Sequence, residues 1–221
     1  MNDTALSAII ILAAYFIGSI PFGLLIAKWV AGIDVRTLGS GNIGATNVAR
    51  VVGKKWGIGV LGLDCLKGLG PTLLLPMAAP FECPHLPVAC GIAAIFGHVF
   101  PCWLKFRGGK GVATTLGVVI VLAPKSLAAA FAVFAITIWI FDYVALSSVL
   151  AAVTLAVCQI VLLWPAPFSE KNWSLGVFSV AIPLLIIVRH HSNIRRLLKG
   201  TEEKFRKVTG EDAAPTTKLD E

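Results

Sequence analysis

Long apolar runs leave this chain little choice of fold. The stretch from Leu6 to Val30 carries one cation, Lys28, near its far end. Several later stretches approach the roughly 20 apolar residues that a helix needs to cross the hydrocarbon layer. Composition agrees: 57% of residues are hydrophobic and 14% charged, against roughly 45–50% and 25% in water-soluble domains. Mean hydropathy is +0.83. The chain is therefore read as an all-α integral membrane protein. Its first run is too long for a signal peptide, lacks a small-residue cleavage site and has its basic group at the wrong end, so it reads as a retained helix. Cys65, Cys83, Cys90, Cys102 and Cys158 are scattered without a C-x-x-C pair and read as small buried hydrophobes.

The apolar pattern predicts about seven transmembrane helices, near residues 5–29, 56–79, 86–104, 111–124, 126–141, 144–164 and 174–189. Residues 1–208 form one polytopic domain in this reading. The last segment, 209–221, rich in Thr, Ala, Pro and acids, is expected to be a disordered tail. Cations set the orientation. Arg36, Arg50, Lys54, Lys55, then Lys105, Arg107, Lys110, then Arg189, Arg195, Arg196, Lys199, Lys204, Arg206 and Lys207 fall on one side. Only Lys125 and Lys171 fall on the other, beside Asp3, Glu82 and Glu170. The positive-inside rule then places the N-terminus outside and the C-terminus in the cytoplasm. Three polar segments, 34–55, 105–115 and 189–203, thereby share the cytoplasmic face, as if they built one site.

The second of these is the most telling. In GHVFPCWLKFRGGKGVAT, residues 97–114, two cations flank paired glycines: Arg107, Gly108, Gly109, Lys110. Glycines allow a backbone to approach an anion closely, and a lysine beside them adds a point charge suited to phosphate. The Walker pattern is not met, because Lys110 is followed by Gly111. Lys105 and Arg107 serve equally well as membrane anchors. His98, alone in its span, reads as a hydrogen-bonded structural residue rather than a catalyst.

In the first segment Gly39, Gly41 and Gly44 spell GxGxxG, but a membrane helix precedes them where a dinucleotide fingerprint needs a strand. What remains is a loop of small donors, Ser40, Asn42, Thr46 and Asn47, ending at Arg50. Residues 45–52 can form a short helix that faces an anion with its N–H groups. The same loop would also serve as a plain turn with capping residues. In the third segment His190 and Asn193 lie three apart, on one helical face. A basic juxtamembrane helix attracting anionic lipid accounts for Arg195 and Lys199 but not for this pair. A two-histidine metal site lacks an acidic or cysteine partner on that face. Inside the second span Asp64 and Lys67, three apart, read as a structural ion pair supporting the site.

Three classes fit these residues: an enzyme joining a phosphorylated polar substrate to a lipid-side one, an anion transporter, and a lipid-binding or assembly protein without chemistry. A transporter should show related halves and polar residues at the midplane. No internal repeat is visible and the polar segments share one face, which favours the enzyme.

GSGNIGATNVAR at 39–50, GHVFPCWLKFRGGKGVAT at 97–114 and RHHSNIRRLLKGTE at 189–202, in this order, resemble the bacterial acyl-phosphate:glycerol-3-phosphate acyltransferase family (PlsY). Residues 18–23 and 64–68 also look like that family. The resemblance implies an inner-membrane enzyme with seven spans, moving a fatty acyl group from acyl phosphate to the 1-hydroxyl of sn-glycerol 3-phosphate. It implies no cofactor, no metal and no nucleic acid partner, and a functional link to an enzyme that makes acyl phosphate. Ser40, Arg50, Lys110 and His190 are then the expected catalytic residues. Gly39, Gly41, Asn42, Asn47, Gly108, Gly109 and Asn193 are the expected substrate-binding ones. One departure stands out: Ala145, just before Leu146, replaces a serine common in the family, so that either Ser147 or Ser148 stands in its place or the contact is absent.

Overall fold

The computed structural model describes residues 2–205, and among these there is no strand. The expected tail at 209–221 lies outside the described residues. Among the described residues ten α-helices follow one another: α1 Asp3–Gly18, α2 Phe22–Ala31, α3 Ala45–Val51, α4 Lys54–Leu74, α5 Leu86–Val99, α6 Val112–Leu122, α7 Pro124–Phe141, α8 Val144–Leu162, α9 Trp173–Arg189 and α10 His191–Leu198. Pro21, which has no N–H to donate, stands between α1 and α2, yet the two together form one apolar span of 29 residues.

Within the described residues five spans are long and apolar enough to cross a membrane: Asp3–Ala31, Lys54–Ala78, Leu86–Leu104, Pro124–Phe141 and Val144–Leu162. A sixth is obtained if α9 is counted with α10, into which it bends by 56°. The expected fourth span, 111–124, is reduced to the eleven residues of α6. At 1.5 Å per residue it measures about 16 Å, roughly half of the hydrocarbon thickness. Gly111 at one end, with φ of 82°, and the start of α7 at Pro124 set that length.

Glycines let the helices meet backbone to backbone, the packing that lipid favours because apolar side chains gain nothing by leaving it. A Cβ on Gly18 would overlap the Ala94 backbone, and one on Gly97 would overlap Tyr15 O, so α1 and α5 touch directly. Gly68 against Thr114 O and Gly117 against Cys65 O do the same for α4 and α6. Ile95, Val99, Val118, Phe178 and Ile182 fill the space between α5, α6 and α9. Large apolar side chains such as Leu12, Leu66, Phe131, Val157 and Leu184 point outward, as a bundle solvated by lipid requires. All five cysteines are free thiols.

Candidate active site

The first polar segment is tied together by one side chain. Asn47 Oδ1 accepts from Ser40 N at 2.8 Å, and its amide donates to Val35 O, Leu38 O and Asn42 O at 2.9–3.1 Å. Buried and bonded in these four ways, Asn47 holds the loop together. Gly39 and Gly41 adopt φ of 57° and 69°, which a side chain would resist. Gly41 N is bonded to Leu38 O at 3.0 Å, so its expected contact with substrate is not through that amide. The loop enters α3, which carries Arg50, much as the sequence suggested. Asn42 folds the approach to α3 by accepting from Gly44 N, two residues on, at 2.8 Å.

The second segment folds back on the helix before it. Gly108 N donates to Val99 O and Gly109 N to His98 O, both at 3.1 Å. These are carbonyls that the end of α5 leaves without intrahelical partners. Arg189, from the end of α9, clamps the other side, its guanidinium donating to Gly108 O and Gly109 O at 3.1 Å. The paired glycines thus have their amides and carbonyls engaged inside the protein. Gly108 and Gly109 thereby seat the loop, with their N–H groups bonded to the end of α5. Close packing is what demands glycine there, because a Cβ on Gly108 would overlap His98 O and one on Gly109 would overlap the His98 ring.

Lys110 emerges from this seat. Its Nζ donates to Asn193 Oδ1 at 2.6 Å. Burial lowers its pKa from the ordinary lysine range to about 8; Glu202 works against that fall, while Arg196, Arg189 and Arg50 add to it. The third segment supplies the partners. His190 sits in the bend between α9 and α10, and its Nδ1 is bonded to Ile186 O at 2.8 Å. A carbonyl can only accept, so Nδ1 carries the hydrogen. Burial, with the Lys110 charge next in effect, pushes the imidazole down to about 4, so the ring is neutral at ordinary pH and offers Nε2 as an acceptor.

Two acids close the arrangement. Asn193 Nδ2 donates to Glu202 Oε1 at 2.6 Å and Arg196 Nε to Glu202 Oε2 at 2.7 Å. Arg50 Nη2 pairs with Glu203 Oε2 at 2.8 Å. Phe205 N donates to Asp142 O at 2.8 Å, so residues 201–205 run from the end of α10 to the α7–α8 corner.

All three segments border one cavity of about 1000 Å³. Gly39, Ser40, Asn42, Asn47, Arg50, Lys110, His190 and Asn193 line it; Gly41, Gly108 and Gly109 do not. Ile58 and Leu61 of α4, and Phe134, Ile138 and Trp139 of α7, give the same cavity an apolar part. Ser148 lines it beside Ala145, its hydroxyl donating to Val144 O at 2.8 Å, whereas Ser147, which donates to Tyr143 O, does not border it. Of the two serines available for the missing one, Ser148 is the one on the cavity. The arrangement can hold an anion among cations while an aliphatic chain lies alongside.

Sequence reasoning missed several members. Asp64 and His98 both line the cavity, although one was read as support and the other as structural. Arg189 was read as part of the basic flank and proves to be the clamp on the glycine loop. Glu202 and Glu203 neutralise the site's cations, and their only signal was the position of two acids just after a basic helix.

A family model described as "Glycerol-3-phosphate acyltransferase" matches residues 8–200. Among curated relatives, a glycerol-3-phosphate acyltransferase of Syntrophotalea carbinolica is 45% identical over 198 residues, covering 90% of this chain and 97% of the relative. One of Geotalea daltonii is 46% identical over 200 residues, covering 90% and 97%. A crystal structure of PlsY, an integral membrane glycerol 3-phosphate acyltransferase, in its glycerol 3-phosphate form superposes with a TM-score of 0.80 at 37% identity, covering 90% of this chain and 94% of that one. The lysophosphatidic acid form gives 0.77 at 37% identity, covering 92% and 98%.

Proposed function

The chain belongs to the glycerol-3-phosphate acyltransferase family, and we propose that it moves a fatty acyl group from acyl phosphate to the 1-hydroxyl of sn-glycerol 3-phosphate. The products are 1-acyl-sn-glycerol 3-phosphate (lysophosphatidic acid) and inorganic phosphate, the first step of bacterial phospholipid synthesis. The observation that carries this reading is the joining of a cationic end and an apolar flank in one cavity by Arg50, Lys110 and His190, brought from three remote segments. The multi-pass chain sits in the inner membrane, with its N-terminus outside and this cavity on the cytoplasmic side. Residues 1–208 act as one membrane domain, and an enzyme that makes acyl phosphate supplies the donor.

Two anionic substrates repel one another unless cations stand between them. Lys110 and Arg50 supply those charges, for the donor phosphate and for the carbonyl oxygen that gains charge during attack. Each preorganised group of this kind contributes about 2.7–4 kcal/mol. Ser40 and Asn42 orient the donor, and His190 Nε2 and Asn193 position the glycerol. The acceptor oxygen forms a bond to the acyl carbon, the bond from that carbon to the phosphate oxygen breaks, and phosphate leaves. The hydroxyl proton goes to the leaving phosphate, because an imidazole with a pKa near 4 is poorly matched to accept it near neutral pH. The acyl chain lies along Ile58, Leu61, Phe134, Ile138 and Trp139.

The test is phosphate release from palmitoyl phosphate by the purified protein, with and without glycerol 3-phosphate. Release that requires the acceptor is expected. Release without it would mean a lipid phosphatase, and no release with both substrates present would remove the acyltransferase reading.

A further inference from the structure

Three charged or titratable side chains lie buried beneath the glycine loop, and the proposed chemistry does not use them. Asp64, Lys67 and His98 are 2%, 4% and 4% exposed. Lys67 Nζ stands 2.8 Å from Asp64 Oδ1 and donates to Ile20 O at 2.7 Å, in the break between α1 and α2. His98 Nδ1 stands 3.7 Å from the same Asp64 oxygen. The opposite edge of the His98 ring is the surface on which Gly109 rests so closely that a Cβ there would overlap Nε2. Gly109 N is bonded to His98 O, and Lys110 is the next residue.

Buried charge is costly, and an ion pair kept only for stability is often no better than an apolar pair of the same size. This pair does more than fill space. It is anchored at one end to a helix break, and at the other it faces the ring that bears the catalytic loop. Asp64 and His98 reach the cavity wall, whereas Lys67 does not.

We propose that Lys67, Asp64 and His98 are a positioning chain that fixes where Lys110 stands: the lysine holds the carboxylate, the carboxylate stands across from one edge of the imidazole in charge contact without a hydrogen bond, and the other edge of the ring sets the height of Gly109. The proposal rests on the acyltransferase reading for its kinetic consequence but not for its geometric one. Lys67 acts through its neighbours without touching substrate.

The experiment uses the full chain in detergent micelles, with Lys67→Met, the double variant Lys67→Met with Asp64→Asn, and His98→Ala. Three quantities are read: melting temperature, turnover of palmitoyl phosphate with glycerol 3-phosphate, and the rate at which an amine-reactive probe modifies Lys110, followed by mass spectrometry. Lys67→Met alone strands a carboxylate in the interior and lowers the melting temperature. The double variant removes both charges and recovers most of that loss. Its turnover nevertheless stays at least about tenfold below the parent's, as expected when a charged group is displaced from reacting atoms, and Lys110 labels several-fold faster. His98→Ala strands no net charge and gives the same two changes where the charge variants do not fold. Parental turnover and parental labelling in a folded double variant, or in His98→Ala, would overturn the proposal. If the parent itself releases no acceptor-dependent phosphate, the acyltransferase reading fails instead, and the Lys110 labelling still decides the positioning chain.

Discussion

Arg50 Nη2 lies 2.8 Å from Glu203 Oε2, so an acid from the segment after α10 occupies one of the two cations assigned to substrate phosphate. The arginine side chain is 20% exposed and the carboxylate 64% exposed. A phosphate arriving at Arg50 must displace that carboxylate. Partly exposed pairs of this kind contribute about 0.2–1 kcal/mol, which corresponds to a factor of roughly 1.4 to 5 in binding. Glu203→Gln is therefore expected to lower KM for the phosphate-bearing substrate by about 1.4- to fivefold with little change in kcat. Steady-state kinetics decide this, and a raised KM would mean that Glu203 orders Arg50 instead of competing for it.

Lys110 is held by a buried asparagine and seated on a loop with no slack. Its removal takes away a preorganised charge and leaves the donor phosphate facing mainly Arg50. Lys110→Ala is expected to lower turnover at least about 100-fold in folded protein, the scale found when one such donor is deleted. A near-normal rate would remove Lys110 from the site.

The same lysine makes the reaction pH-sensitive. Its pKa is lowered to about 8 by burial, so the ammonium is present below that pH and lost as pH rises through it. The ratio kcat/KM reports the free enzyme. It should fall as pH passes 8, reaching roughly a tenth of its neutral value one unit above that pKa. Lys110→Arg, which keeps its charge, should have less activity but a flat profile to pH 9. A parental profile that stays flat to pH 9 would show that the lysine keeps its proton there.

Much of this was legible in the chain itself. Apolar runs bounded by cations marked the spans, and the three polar segments meet at one cavity through Arg50, Lys110 and His190. The sequence could not reveal how the glycine loop spends its bonds. Gly108 and Gly109 look like a cradle for an anion because glycine is required both for close approach to a ligand and for close approach to a protein backbone. Only the three-dimensional meeting of Gly109 with His98, eleven positions earlier, separates the two uses. Asp64 and His98 face each other from different helices, and no periodicity reports such a contact. Which of Ser147 and Ser148 borders the cavity could not be read until the turn of α8 placed one on it and the other away from it.

Gly117 tests the packing independently of the chemistry. A Cβ there would overlap the Cys65 carbonyl, which belongs to the backbone of α4 and cannot rotate away. Overpacking of this kind costs about 1–3 kcal/mol. Gly117→Ala should lower the melting temperature by several degrees, whereas Gly62→Ala, on the same α4 with nothing nearby, should leave it unchanged or slightly raised. Equal melting temperatures for both variants would mean that α4 and α6 do not meet at Gly117.

His190 separates positioning from proton transfer. Its Nδ1 is committed to Ile186 O, which leaves Nε2 to contact the acceptor. A glutamine can still offer a hydrogen-bonding oxygen near that place but cannot take a proton at neutral pH. If the leaving phosphate accepts the proton, His190→Gln retains activity within about tenfold of the parent and the pH profile keeps its shape. His190→Ala, which loses the contact altogether, should fall further. General-base catalysis is worth about 10²–10⁴-fold, so a glutamine variant as inactive as the alanine one, with an altered acid limb, would return the proton to His190.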